Sequence, residues 1–362
     1  METGMLQKFA TVLLDYSLQV KPGEYIVVNA STLAQPLVEQ VYAGLLERGA
    51  FPLLRLALPQ QEELFHAHAR DRHFTTRSPF SAFEAKRADG WLTIMASANT
   101  RALAGTDPRR HAQLLRTSKP VRAHITRKDR WTLTLFPTPA YAQDAGMGLH
   151  DFERFVARAL FLDRRDPLAA WRTLQRRQET LVRRLCGAQQ VRVTAPGTDL
   201  TLRVTGRSFI NSCGYRNMPS GEVFTSPVED SAEGVITFAL PACHGGREVE
   251  GVRLVFRHGA VVEASARRGD DYLQTLLGTD AGAKRIGEFA FGLNYGIDRP
   301  CKNILFDEKI GGTVHLALGD SFAEAGGKNK SALHWDLICD LRREGVVTVD
   351  GVTVMRNGKL TG

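Results

Sequence analysis

The alternation of strand and helix patterns in the first half of the chain constrains the fold most. A short apolar run at Tyr25–Val28 is typical of a buried strand, and residues 35–48 predict a helix. Three further strands are predicted at Phe51–Leu58, Trp91–Ala96 and Arg130–Phe136. Strand–helix–strand alternation favours a parallel sheet covered by helices, so we predict a doubly wound α/β domain.

Beyond Gly187 the sequence consists of short, β-branched, period-two segments separated by glycine-rich turns, which is typical of an antiparallel or mixed β domain. Two helices are predicted here, at Tyr272–Leu277 and Ala281–Ile286, and a hairpin at Val346–Val354. For a chain of 362 residues we therefore predict two domains. The α/β domain spans residues 1–185, and a mixed α+β domain spans residues 186–362.

Composition excludes several classes of protein. The chain is 43% hydrophobic and 24% charged, which excludes a mostly disordered protein. No stretch approaches the roughly 18 uncharged apolar residues of a membrane span, so no membrane association is expected. The five cysteines are far apart and form no CxxC pair, which predicts a cytoplasmic protein without a disulfide framework or a cysteine zinc site.

The net positive charge of the chain lies wholly in its first half. Residues 1–185 hold 27 basic and 18 acidic residues, a net charge of +9, whereas residues 186–362 hold 20 and 21. Such a charge could attract nucleic acid. However, the basic residues are not interleaved with stacking aromatics, and no nucleic-acid fold signature is present. A solvated face or an oligomer contact is the preferred interpretation.

Two glutamates stand in unusual surroundings. Glu222 follows a Pro-Ser-Gly turn and precedes an apolar segment, and Glu288 lies between a glycine and an apolar run. A buried acid is costly unless it is paired or binds a metal. Glu222 could equally be an exposed turn residue, and Glu288 could form a salt bridge with Arg285.

Two histidines and an aspartate lie in strand-like segments. Small residues flank His315, which leaves room for a ligand. His334 and Asp336 are two residues apart and would point to the same side of a strand. Singly, each is more simply a core histidine or a His–Asp hydrogen bond. Together with Glu222 and Glu288 they supply five N/O ligands, which fit a two-metal hydrolytic site better than a structural zinc.

At these segments the sequence resembles the aminopeptidase T family of metallo-aminopeptidases. The matching segments span nearly the whole chain, and those of the C-terminal half are the more specific. They are Tyr16-Ser17-Leu18, Pro22-Gly23-Glu24, Asn217-Met218-Pro219, Gly221-Glu222-Val223-Phe224, Gly278-Thr279-Asp280, Gly287-Glu288, Leu305-Phe306-Asp307-Glu308, His315-Leu316-Ala317-Leu318-Gly319 and His334-Trp335-Asp336.

The resemblance implies an N-terminal α/β domain followed by a C-terminal catalytic domain with a dinuclear metal centre, in a homodimer. It implies two divalent ions, zinc, cobalt or manganese, and a bridging water that attacks the scissile carbonyl of a peptide with a free N-terminus. The implied metal ligands are Glu222, Glu288, His315, His334 and Asp336. Glu288 would bridge the ions, and Glu308 would contact the substrate amine or move a proton.

The sequence departs from the family pattern at Phe322, where the family carries a tyrosine that stabilises the oxyanion. Loss of one oxyanion donor lowers a rate by roughly two to three orders of magnitude. Tyr295 and Lys309 are the predicted replacements.

Two other functions stay open. A mononuclear iron(II) ring-cleaving dioxygenase needs only His315, His334 and Asp336 and would leave the glutamates without a role. A non-catalytic basic binding protein would use the positively charged first half.

Overall fold

The computed structural model describes residues 1–362, and their packing divides them into two compact units. One unit comprises Met1–Trp171 and Gly214–Pro219, and the other comprises Arg172–Cys213 and Ser220–Gly362. The predicted domain boundary near residue 186 falls within the second of these units. The division of the chain into two domains at that residue stays a prediction.

Most of the helices belong to the first half of the chain. They are α1 Thr3–Thr11, α2 Gln35–Glu47, α3 Gln61–His68, α4 Asp71–Thr75, α5 Pro79–Arg87, α6 Pro108–Arg127, α7 Pro139–Asp144, α8 Leu149–Ala159, α9 Pro167–Arg184, α10 Asp270–Leu277 and α11 Ile304–Asp307. A π-helical turn at Val12–Ser17 follows α1, and single 3₁₀ turns lie at Thr32–Ala34 and Ala323–Ala325. None of the helices has the length and apolar character needed to span a membrane.

The strands are concentrated in the second half. They are β1 Tyr25–Ser31, β2 Phe51–Ala57, β3 Gly90–Met95, β4 Trp131–Leu135, β5 Gln190–Ala195, β6 Thr198–Arg203, β7 Ile210–Ser212, β8 Asn217–Met218, β9 Glu222–Thr225, β10 Glu233–Phe238, β11 Ala242–His244, β12 Arg247–Val249, β13 Val252–Arg257, β14 Ala260–Ser265, β15 Ile286–Gly292, β16 Thr313–Gly319, β17 His334–Asp340, β18 Val346–Val349, β19 Val352–Arg356 and β20 Lys359–Leu360.

The first unit is built on a parallel five-stranded sheet with the order β2-β1-β3-β4-β8. Its first four strands are those that the apolar runs predict, and the α/β class is confirmed. Within β1, Ile26, Val27 and Val28 are buried, as expected for a strand covered on both faces. The fifth strand, β8, comes from much later in the chain, where Asn217 pairs with Leu133.

The second unit contains antiparallel sheets, as its period-two segments predict. The larger sheet has the order β14-β13-β10-β6-β5-β18-β19-β20 and includes the predicted hairpin β18–β19. The other has the order β17-β16-β15-β9-β7, and we call it the ligand sheet. A short hairpin, β11–β12, completes the unit.

One predicted helix is wrong. Residues 281–284 form a turn, Arg285 forms a β-bridge with Ala260, and β15 begins at Ile286. The Asp280 carboxylate accepts hydrogen bonds from the backbone N–H groups of Gly282 and Ala283, each at 2.9 Å. Such local bonds from an aspartate to the backbone compete with helix formation. The other predicted helix of the pair, α10, is confirmed.

Candidate metal centre

The ligand sheet carries on one face the five side chains that the sequence predicts as metal ligands. They are Glu222 on β9, Glu288 on β15, His315 on β16, and His334 and Asp336 on β17. The strand order brings these four strands side by side. Because alternate residues of a strand share a face, side chains from separate parts of the chain converge here.

Small residues separate the ligands across the sheet. Ala317 pairs with Glu288 on one side and with Asp336 on the other. Gly292 pairs with Glu222. Because a methyl group and a hydrogen atom fill little volume, the longer acidic and imidazole side chains can lean together over the strands.

A β-bulge sets the direction of one ligand. The register between β15 and β16 shifts between Ile286 and Glu288, so that Glu288 lies opposite Ala317. The extra residue is Gly287, and a Cβ atom there would lie 2.2 Å from the carbonyl oxygen of Asp320. Only glycine fits this close approach, and the bulge turns Glu288 onto the ligand face.

The ligand atoms lie close together and away from solvent. His315 Nε2 is 3.6 Å from Glu222 Oε2, 3.5 Å from Glu288 Oε1 and 3.9 Å from Asp336 Oδ1. His334 Nε2 is 3.4 Å from Glu288 Oε2 and 3.7 Å from Asp336 Oδ1. His334 is half-buried, and the other four residues are buried.

Backbone carbonyls orient both imidazoles. His315 Nδ1 lies 2.9 Å from the carbonyl oxygen of Glu308, and His334 Nδ1 lies 2.9 Å from that of Asp320. Each Nδ1–H therefore donates to a carbonyl, which directs Nε2 toward the carboxylates. This is the usual arrangement around a metal-ligating histidine.

Three buried polar atoms in the cluster have no hydrogen-bond partner: Glu222 Oε2, His315 Nε2 and Asp336 Oδ1. Buried polar atoms without partners are rare and unfavourable. All three point into the same small volume, where a cation would satisfy them together. The donor set, carboxylate oxygen and imidazole nitrogen, suits zinc, cobalt and manganese.

The possible ligand atoms fall into overlapping triads. Glu222, Glu288 and His315 form one triad, and Glu288, His334 and Asp336 form another. Within each triad the ligand atoms lie within 4.8 Å of one another. Glu288 belongs to both, so its carboxylate lies within reach of either group of possible ligands, and the residues present fit a divalent ion.

The pKa values of the cluster reflect its mutual charges. Burial disfavours the charged form of Glu288 and raises its pKa, but the two adjacent imidazoles outweigh this effect and lower the pKa to about 2. Burial likewise lowers the pKa of the imidazoles, but Glu288 and its acidic neighbours outweigh it. They raise the pKa of His315 to about 9 and that of His334 to about 10. Metal binding would therefore release protons from Nε2.

Glu308 and Lys309 border the cluster. Lys309 is 1% exposed, and its Nζ lies 2.9 Å from Glu222 Oε1 and contacts the Glu308 carboxylate. Burial raises the pKa of Glu308 to about 8, against the lowering effect of Lys309 and with the help of Asp336 and Glu222. Burial lowers the pKa of Lys309, but Glu222 and Glu308 outweigh it and raise the pKa overall. Glu308 also forms a possible ligand triad with His315 and Asp336.

The structure does not place the hydroxyl of Tyr295 with the predicted ligands. Its side chain is 53% exposed, and its hydroxyl donates to the carbonyl of Gly358 at 2.7 Å. Phe322, in contrast, lies against the cluster. Its ring packs edge-on to the imidazole of His334 at 5.3 Å between centroids, and it contacts Phe224 at 5.1 Å.

Two residues, Gln178 and Lys309, form bonds with Glu222 that the sequence does not predict. Gln178 Nε2 donates to the Glu222 backbone carbonyl and, at 3.1 Å, to that of Ser212. The sequence predicts Lys309 as an oxyanion donor, and the structure places its ammonium against Glu222. No signal in the sequence of α9 singles out Gln178.

A family model and several curated proteins match the chain over nearly its whole length. The model of the thermophilic metalloprotease (M29) family matches residues 3–360. "Aminopeptidase 2" of Geobacillus stearothermophilus is 30% identical, over 96% of this chain and 94% of that protein. "Aminopeptidase T" of Thermus aquaticus is 29% identical, over 99% of this chain and 98% of that protein.

A solved structure has the same fold. The structure titled "Wild-type AmpT from Thermus thermophilus" is similar to this chain with a TM-score of 0.86 and 24% sequence identity. The similarity covers 99% of both chains. The fold of this chain is therefore one already known from experiment.

Proposed function

Because the chain belongs to the thermophilic metalloprotease (M29) family, it is a metallo-aminopeptidase, and we propose that it uses two divalent metal ions. The observation that carries the proposal is the set of three buried, unpartnered ligand atoms on Glu222, His315 and Asp336. A bound cation would interact with all three atoms and so remove the unfavourable free energy of burying them without partners. Packing alone does not explain why they are buried together.

Each ion would have its own ligands. Glu222 and His315 would hold one ion, His334 and Asp336 the other, and Glu288 would contact both. When bound, such ions supply an acidified water and polarise a substrate carbonyl. The carbonyl bonds to both Nδ1 atoms keep the imidazoles turned toward the ions.

Glu308 is the proposed proton carrier. Burial raises the pKa of the Glu308 carboxyl toward neutral pH, where its ionised form can accept a proton from a nucleophilic water and its protonated form can donate one to the leaving amine. Its place beside His315 and Asp336 brings it to the edge of the reacting volume.

A substrate with a free N-terminus is part of the proposal, since Glu308 could also pair with the substrate ammonium. Tyr295 as oxyanion donor, the homodimer and the cytoplasmic location stay predictions. Zinc, cobalt and manganese all match the donor set, so the identity of the ion is a matter for measurement.

The test uses chelated protein reloaded with zinc, cobalt or manganese. We expect two ions per chain by elemental analysis and hydrolysis of aminoacyl-anilides. N-acetylated versions of the same substrates are the control and should resist cleavage. Bound metal without cleavage of any free-amino substrate would refute the peptidase. One iron per chain with ring-cleaving activity would favour the dioxygenase instead.

A further inference from the structure

Lys309 is a buried cation held in one position. Its ammonium lies 2.9 Å from Glu222 Oε1 and contacts Glu308, and its side chain is 1% exposed. Its backbone is fixed as well, because the carbonyl accepts a hydrogen bond from the N–H of Asn294 at 3.0 Å. Little freedom is left for this side chain to follow a substrate.

The two oxygens of Glu222 have different surroundings as a result. Oε1 is bound by Lys309, whereas Oε2 has no hydrogen-bond partner and lies 3.6 Å from His315 Nε2. A carboxylate can bind a metal through one oxygen or through both. While Lys309 holds Oε1, only Oε2 is free to bind.

We propose that Lys309 is a positioning residue that restricts Glu222 to one oxygen at a divalent ion. The inference rests on the metal site of the proposed function. A hydrolytic ion needs an open coordination position, and a Glu222 that bound through both oxygens would compete for it. Lys309 also lowers the affinity of the site for this ion. The lysine ammonium and the metal ion carry like charges, and both would share the carboxylate of Glu222.

Two variants separate the charge of Lys309 from its hydrogen bond. Lys309→Met removes both, and Lys309→Gln keeps a donor for Glu222 Oε1 without the charge. The matched control is Lys302→Met, which removes a lysine paired with Glu248 at 3.0 Å outside the cluster. Each apo protein is titrated with Zn²⁺ against a chromophoric chelator and with Co²⁺ by visible absorption.

In Lys309→Met we expect one of the two ions to bind at least about tenfold more tightly, because a nearby positive charge is gone. Its Co²⁺ spectrum should change toward a higher coordination number, and kcat of the loaded enzyme should fall. Lys309→Gln should also bind the ion more tightly but keep the wild-type spectrum. Lys302→Met should match the wild type in all three measurements.

Unchanged or weaker metal binding, or an unchanged Co²⁺ spectrum, in a folded Lys309→Met protein would overturn the inference and leave Lys309 a structural residue. If only that variant misfolds, Lys309→Gln decides by the same affinity measurement. A wild-type chain that binds metal but cleaves no peptide refutes the peptidase alone. A wild-type chain that binds no divalent ion overturns both.

Discussion

Charged side chains are exposed on helix α6 of the first unit but buried in the ligand sheet of the second unit. Helix α6 has no buried residue, and its Arg110 pairs with Asp71 at 2.9 Å while 45% and 86% of the two side chains stay exposed. In the ligand sheet, His315 is fully buried and has an unpartnered nitrogen among carboxylates. Solvent-exposed charges are abundant on α6, whereas the buried charges, which are costly to leave unpaired, lie in the ligand sheet.

This difference shows where to look for function in a charged protein. An exposed ion pair contributes about 0–1 kcal/mol and is easily made. A buried charge costs several kcal/mol unless it is matched, so a cluster of buried charges with unpartnered atoms is seldom retained for stability alone. The net charge of the first half therefore says less about activity than five residues of the second.

Removing the shared carboxylate should have the largest effect. Glu288→Ala takes one ligand from both triads, so we expect at least about a 10²-fold loss of kcat/KM, beyond the 10- to 100-fold typical of a supporting residue. Metal content per chain should fall in parallel. Asp71→Ala is the control from the exposed pair, and a Glu288→Ala enzyme with full metal content would contradict the prediction.

A buried carboxyl outside the triads should give stability a pH dependence. Burial raises the pKa of Asp307 to about 7, against the lowering hydrogen bond from the Cys301 N–H. The pKa of Asp307 in the unfolded chain is near 3.9. The stabilisation that its protonated form gives the fold is therefore full below pH ~4 and is lost as pH rises to 7. Asp307→Asn should abolish this pH dependence, which amounts to up to about 4 kcal/mol in the free energy of unfolding. The measurement is denaturant unfolding of the chelated protein at a series of pH values.

The same unfolding series with Asp71→Asn provides the contrast, because an exposed carboxylate should leave the slope as it is. A wild-type slope that persists in Asp307→Asn would assign the effect to other groups.

Restoring a hydroxyl beside His334 should have a moderate effect. Phe322→Tyr adds an oxygen at the ring that packs against this imidazole. A well-placed oxyanion donor is worth roughly 10²–10³ in kcat, and we expect a gain of about tenfold because the loop was not shaped for it. The measurement is kcat on an aminoacyl-anilide, with Phe224→Tyr as the matched variant. No gain in Phe322→Tyr would mean that another group already stabilises the oxyanion.

The exposed pair should have the smallest effect. Arg110→Ala is expected to lower the free energy of unfolding by less than about 1 kcal/mol, and less still at high salt. Urea unfolding at two ionic strengths measures it. A larger loss would show that α6 carries structural charge and would weaken the contrast with the ligand sheet.

The sequence predicts the local elements of this fold better than its long-range joins. The apolar run of β1 is typical of a strand buried in a parallel sheet, whereas most residues of the edge strand β2 are exposed although its sequence is mostly apolar. Strand β8 is too short to show a period, and its pairing with β4 joins residues far apart in the chain. The predicted helix at 281–286 failed because apolar spacing does not reveal the bonds of Asp280.

The candidate site shows the same limit. Period-two spacing correctly placed His334 and Asp336 on one side of β17. The same spacing could not give the direction of Glu288, because a bulge changes the register of β15. It also gave no indication that Lys309 lies within bonding distance of Glu222. The roles of these residues as ligands stay predictions for the metal measurements above.

The bulge at Gly287 has a consequence for how this site can change over time. A side chain there would collide with the Asp320 carbonyl and disturb the bulge that directly precedes the glutamate. Mutation can thus disable the centre without touching a single ligand. Among distant sequences, we expect a working centre to keep a glycine immediately before the glutamate.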